Sequence, residues 1–138
     1  MIWAITKKNP LKKKPSLSLK LRMYLSKEII KKNRKIFVEF FENKINSVNT
    51  FDLLNFIRKK NPKSEIFFLI GSDNLVKFHK WKKWEKITDL AKLAIFPRKN
   101  YSVKSLNRVV LKKLSKKDFV YIKAKKINIS SSIIRKFW

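Results

Sequence analysis

Cysteine is missing altogether from the 138-residue sequence, which excludes disulfide frameworks, thiolate zinc sites and cysteine nucleophiles and suits a reducing cytoplasm. The single glycine, Gly71, leaves no P-loop and no G-x-G-x-x-G phosphate cradle. The single histidine, His79, excludes paired-imidazole metal sites. No apolar run approaches the roughly 18 residues of a membrane span, and apolar residues precede the first lysines, the reverse of a signal peptide. A soluble, cytoplasmic protein with no membrane partner is expected. Acidic side chains are scarce too: 9 Asp+Glu face 36 Lys+Arg, a net charge of +27 that attracts any polyanion. The lysines are scattered and far outnumber the six arginines, so most of this charge reads as compositional bias rather than as one dedicated surface.

What is present is enough to fold. Apolar residues make up 44% of the chain, which supplies one core and hence one domain over 1–138, with no room for two full ones. Ile2-Trp3-Ala4-Ile5 reads as a buried strand. After a Pro- and Lys-rich loop, Ser16 is a candidate cap for a helix with Leu17, Leu21, Tyr24, Leu25 and Ile29 at helical spacing. Residues 36–41 are strand-like, 43–49 form a polar connection, and Thr50 caps a helix that stops at Asn61-Pro62. Residues 65–70 are a continuous apolar run, expected at the centre of a parallel sheet, and Ser72 or Asp73 can cap the helix behind it. The pattern continues with helix over 81–90, strand over 92–96, a short helix over 102–106, strand over 119–122 and a helix from Ser131. Such alternation predicts an α/β fold, an open parallel sheet with helices on both faces, whose ligands collect beyond the carboxyl ends of the strands.

Several segments carry chemistry. Ile129-Ser130-Ser131-Ser132-Ile133-Ile134-Arg135 places hydroxyls and free amides at a helix start with a guanidinium one turn on, a phosphate site by construction, although serine there is also an ordinary cap. In Asn9-Pro10-Leu11-Lys12 the lysine can reach a phosphate held over the sheet edge, or simply be solvated in a turn. Gly71-Ser72-Asp73 lets backbone approach a ligand while the carboxylate binds ribose hydroxyls, or else caps a helix. Phe78, Trp81 and Trp84, three residues apart, read first as core, though an indole among lysines also suits a flat heteroaromatic ring. His79 reads as a surface residue without a role.

These pieces occur in one order: a strand then Asn9-Pro10-Leu11-Lys12, Thr50-Phe51-Asp52-Leu53-Leu54, Phe68-Leu69-Ile70-Gly71-Ser72-Asp73-Asn74-Leu75, Phe78 through Trp84, Arg98, and the terminal Ser-Ser-Ser-Ile-Ile-Arg. In that order the sequence resembles the bacterial nicotinate-nucleotide adenylyltransferases of the nucleotidyltransferase superfamily, over essentially its whole length. The resemblance implies a Rossmann-like fold and, with Mg2+, adenylyl transfer from ATP to nicotinate mononucleotide, giving deamido-NAD and pyrophosphate. It implies that Ser131, Ser132 and Arg135 hold ATP phosphates and that Gly71 and Asp73 line the nucleotide groove, Asp73 on ribose. By the same resemblance Thr50 and Trp81 hold the pyridine carboxylate and stack on its ring, Lys12 neutralises the mononucleotide phosphate, and Arg98 matches the arginine that closes the strand after the Trp segment. Pro97 beside Arg98, and Ser132 where threonine is commoner, are small departures.

The larger departure lies at the front. The family opens with a strand carrying Gly-Gly-Ser-Phe-Asp-Pro-x-His-x-Gly-His, and no segment here matches it. Those histidines bind the triphosphate and stabilise charge that builds on phosphorus during in-line attack, so no catalytic residue is assigned. Read this way, the sequence is truncated, lacks the first strand-helix unit, should leave a gap in its sheet beside residues 2–5 and should show little or no activity. The alternative is a small basic RNA- or DNA-binding module, suggested by the +27 charge and by aromatics interleaved with lysine around Trp81 and Trp84, with nucleic acid the less favoured partner. A third reading is a nucleotidyltransferase acting on nicotinamide mononucleotide or phosphopantetheine. Homo-oligomerisation is left open.

Overall fold

The computed structural model describes residues 1–8, 15–98, 101 and 108–123. Strands and helices alternate along them: β1 (Ile2–Ala4), α1 (Leu19–Ile30), β2 (Phe37–Glu39), α2 (Glu42–Ile45), α3 (Thr50–Lys60), β3 (Phe67–Gly71), α4 (Ser72–Leu75), β4 (Lys92–Phe96), α5 (Arg108–Lys113) and β5 (Phe119–Tyr121). Every described strand pair is parallel, and parallel neighbours need a crossover, which the intervening helices and turns supply. The strands fall into two ladders, β1-β2 and β3-β4-β5. Correspondingly, the chain divides into two compact units, Met1–Ile57 and Arg58–Trp138, with the boundary inside α3.

In Met1–Ile57, β1 and β2 pair from Ile2↔Phe37 to Ala4↔Glu39, and the Ile5 amide extends the ladder by donating to the Glu39 carbonyl at 2.9 Å. Among the described residues β2 is the only ladder partner of β1. Ile5, Val38 and Leu54 form a thin core. Three expectations are corrected. The β1 residues Ile2 and Trp3 are exposed, not buried. The cap of α1 is Ser18 rather than Ser16, its Oγ accepting the Leu21 amide at 3.2 Å. The stripe of Leu17, Leu21, Tyr24, Leu25 and Ile29 also faces outward. Arg22 anchors the first turn of α1, its guanidinium donating to the Leu17, Thr6 and Lys7 carbonyls at 3.3, 2.7 and 3.0 Å. These three charge-assisted bonds tie the start of the helix to the segment after β1, and Ser26, one turn later, is buried.

In Arg58–Trp138, β4 is central, paired with β3 from Phe67↔Lys92 to Gly71↔Phe96 and with β5 from Leu93↔Phe119 to Ile95↔Tyr121. Leu93, Ala94 and Ile95 are buried, as are Ile70, Leu75, Phe78, Ile87, Ala91 and Val110. The long apolar run of β3 was expected at the sheet centre, yet β3 is an edge of its ladder among the described residues, with Phe67 and Leu69 exposed. A two-sided apolar run signals cover on both faces, which is a different property from having two ladder neighbours. The helix expected over 81–90 is replaced by short 3-10 turns at Phe78–Lys80 and Trp84–Lys86. Trp81 is extended there and Lys83 takes a left-handed φ of 51°, which breaks any continuous helix. The helices expected over 102–106 and from Ser131 lie outside the described residues. Arg58, in the last turn of α3, is an internal clamp: Nε and Nη2 donate to the Leu90 carbonyl at 3.1 and 2.6 Å, and Nη1 donates to the Ser64 carbonyl at 2.5 Å.

Candidate functional site

Strands β3 and β4 end level with each other, because Gly71 pairs with Phe96 in the last rung of their ladder. Residues just past those ends therefore emerge at one sheet edge, and the expected site residues Gly71, Asp73 and Arg98 converge there. Arg98 Nε lies 3.3 Å from Asp73 Oδ1. That oxygen is buried without an aligned hydrogen bond, so the contact is an ion pair held by distance rather than by direction. Ser72 ties the edge together. Its Oγ accepts the Arg98 amide at 2.9 Å and donates to the Tyr101 carbonyl at 3.3 Å, and Arg98 and Tyr101 form an antiparallel bridge.

Sequence reasoning gave Ser72 or Asp73 as the helix cap. Instead Gly71 occupies the cap position of α4 and no side chain caps it, since the Ser72 hydroxyl is committed to the loop after β4 and Asp73 to Arg98. Gly71 has an ordinary extended conformation, φ −76° and ψ 147°. Glycine is needed for space: a Cβ would overlap the Asp73 carboxylate and sit 3.2 Å from Arg98 Nε. The result is a carboxylate and a guanidinium presented beside bare backbone, a combination that can accept ribose hydroxyls and attract phosphate oxygens.

The aromatic segment lies in the same unit. Phe78 is fully buried, with Trp81 at 5.5 Å and Trp84 at 5.8 Å between ring centroids, and Trp81 also meets Phe68 edge-on at 6.0 Å. Core packing accounts for Phe78, while Trp81 stays half-buried. His79 is not the surface residue expected. It is half-buried, and its Nδ1 is enclosed without a hydrogen-bond partner.

Thr50, the remaining described candidate, belongs to Met1–Ile57. It opens α3 and lines a groove of about 310 Å³, solvent mouth included, whose polar lining also holds Thr6, Glu42, Ser47 and Asn49. The start of α3 is braced by a local network: Ser47 Oγ donates to Asp52 Oδ2 at 2.6 Å, and Asn49 Nδ2 donates to Ser47 Oγ at 3.0 Å and to Asp52 Oδ2 at 3.3 Å. Glu42 was not foreseen. In the sequence its signal is one of only nine acids, standing directly behind the apolar Phe40-Phe41. Lys12, Ser131, Ser132 and Arg135 lie outside the described residues.

Comparison with known proteins places this geometry. The cytidylyltransferase-like family profile matches residues 1–137. A Pelagibacter ubique protein named "Probable nicotinate-nucleotide adenylyltransferase" is 46% identical, covering 99% of this chain and 75% of its own length. A protein of the same name from Aquifex aeolicus is 30% identical over 96% of this chain and 81% of its own length. Among solved structures, the Plasmodium falciparum nicotinic acid mononucleotide adenylyltransferase complexed with APC superposes with a TM-score of 0.71 at 26% identity, covering 99% of this chain and 67% of that one.

Proposed function

The chain belongs to the cytidylyltransferase-like family, among its nicotinate-nucleotide adenylyltransferases, and on that premise we propose that it transfers the adenylyl group of ATP to nicotinate mononucleotide. An oxygen of the mononucleotide 5′-phosphate attacks the α-phosphorus of ATP. The new P–O bond forms as the bond to the bridging oxygen breaks, pyrophosphate leaves, and deamido-NAD results, a step of NAD biosynthesis. Such transfers rest on positioning and charge stabilisation more than on covalent chemistry by the protein.

The observation that carries the reading is the convergence of Gly71, Asp73 and Arg98 at the carboxyl ends of two adjacent parallel strands, where open α/β sheets bind nucleotides. Asp73 is assigned to ribose hydroxyls and Gly71 to the close approach of the nucleotide. Arg98, about half exposed, is assigned to the substrate. Thr50 and Trp81 are assigned to the pyridine carboxylate and ring, Lys12 to the mononucleotide phosphate, and Ser131, Ser132 and Arg135 to the ATP phosphates, all within one nucleotidyltransferase domain over 1–138. Among the described residues no three His, Cys, Asp or Glu side chains gather as a metal site, and Asp73 is already paired. Mg2+ is accordingly assigned to the incoming MgATP complex, carried by phosphate oxygens. No described helix is long and apolar enough to cross a membrane, and the cytoplasm is the assigned location.

Calorimetric titration of MgATP and of nicotinate mononucleotide tests the proposal. Both should bind, and Gly71→Ala should weaken MgATP about tenfold, by displacing Asp73. Failure of both ligands to bind would remove the reading.

A further inference from the structure

Ser72 stands between Gly71 and Asp73, and the proposed function gives it no part. A serine at the start of a helix ordinarily bonds a backbone amide of its own first turn. Here no side chain caps α4. The Ser72 hydroxyl instead bonds residues 26 and 29 positions further along the chain, accepting the Arg98 amide at 2.9 Å and donating to the Tyr101 carbonyl at 3.3 Å. Ser72 is 2% exposed, so little water reaches either bond. A hydroxyl is the smallest side-chain group that accepts and donates through one atom. Alanine fits the same space and leaves the Arg98 amide and the Tyr101 carbonyl without this partner.

We infer that Ser72 is a positioning residue, whose hydroxyl fixes the Arg98 main chain so that the Arg98 guanidinium meets a ligand anion from a set place beside Asp73. The inference rests on the proposed function, in which Arg98 serves the substrate, and adds what holds that arginine ready. Three consecutive residues converge on Arg98 from the end of β3. Gly71 leaves the room, since a Cβ there would stand 3.2 Å from Arg98 Nε. Ser72 holds the main chain, and Asp73 holds the side chain, with Oδ1 3.3 Å from Nε. The Tyr101 amide donates to the Arg98 carbonyl at 3.1 Å, so the bond from Ser72 to the Tyr101 carbonyl braces Arg98 a second time. Arginine has much rotamer freedom to lose when it binds a ligand. The ion pair with Asp73 is 48% exposed on the arginine side and is by itself a weak restraint. Anchoring the main chain removes part of the ordering cost before the ligand arrives, which raises affinity without any contact between Ser72 and the ligand.

The test is calorimetric titration of the full chain with MgATP and with nicotinate mononucleotide, using the unmodified protein, Ser72→Ala, Arg98→Ala and the double variant, each checked for folding by circular dichroism. Arg98→Ala identifies the ligand that the guanidinium serves. Ser72→Ala should weaken that same ligand by roughly three- to tenfold, the range for ordering one long side chain, and should add nothing once the Arg98 side chain is gone. Equal losses with and without the Arg98 side chain mean that Ser72 only braces the fold, and overturn the inference. Binding unaltered by Ser72→Ala, or unaltered by Arg98→Ala, also overturns it while the adenylyltransferase reading stands. One arm needs no variant: in hydrogen exchange of the unmodified protein the Arg98 amide should be protected, and exchange as fast as in an open loop overturns the inference. If neither ligand binds the unmodified protein, the functional reading itself falls, and this inference with it.

Discussion

Each of the two units places an acid just beyond the carboxyl end of a strand, Glu42 after β2 and Asp73 after β3. Their surroundings differ. Asp73 has Arg98 at 3.3 Å, with Gly71 clearing the space that lets the pair form. Glu42 accepts the Lys7 amide on one oxygen, and among the described residues its other oxygen has no hydrogen-bond partner. The unit of Arg58–Trp138 therefore pairs its acid within itself and presents a preorganised edge, whereas the acid of Met1–Ile57 is held by backbone alone among the described residues. The two cores follow the same division. Among the described residues nine apolar side chains are buried in the second unit and three in the first, so the second is better placed to hold a charged pair rigid.

The contrast is broken or sharpened most strongly by the two internal arginine clamps. Arg58→Ala removes the bonds to the Leu90 and Ser64 carbonyls, of which the Leu90 contacts are part-buried. A loss of about 2–4 kcal/mol in urea unfolding is expected. Arg22→Ala removes a similar fork whose bonds are all exposed, and about 1 kcal/mol is expected. Equal losses would erase the distinction between a tightly and a loosely held unit.

A smaller effect bears on the acids themselves. Asp73→Asn removes the anionic half of a pair whose side chains are 24% and 48% exposed, and should cost about 1 kcal/mol without ligand. Glu42→Gln keeps an acceptor for the Lys7 amide and spares the protein the burial of a carboxylate, so the free protein should change by no more than about 1 kcal/mol. Thermal unfolding of both variants decides it. A marked loss at Glu42 would mean that its second oxygen is already stabilised within the chain.

Much of the fold was legible because its signals are local. The run Lys92–Phe96 and the end of β3 at Gly71 read directly as strand and stop, and Gly71, Asp73 and Arg98 were singled out before the ladder that unites them was known. What could not be read depends on partners distant in sequence. Which strand is central follows from the register of β3, β4 and β5, not from the length of an apolar run. The break in residues 81–90 comes from a left-handed lysine, Lys83, at a position where no glycine announces it. Glu42 escaped notice because a carboxylate becomes informative only once its burial and its lack of a partner are visible.

The orientation of α1 is the clearest case, and it yields the smallest prediction. Helical spacing put Ile29 on the apolar stripe of α1, yet it is 75% exposed, whereas Arg22, two turns earlier on nearly the same face, is held against the Thr6 and Lys7 carbonyls. An apolar side chain in that position has little surface removed from water, so the transfer term that makes core truncations costly is nearly absent. Ile29→Ser should change unfolding free energy by no more than about 0.5 kcal/mol, as ordinary surface substitutions do. The same substitution at Val38 or Leu54, both buried in the thin core of this unit, should cost several times as much. A large loss at Ile29 would show that its face of α1 is covered in solution, and would make Met1–Ile57 the better packed of the two units rather than the worse.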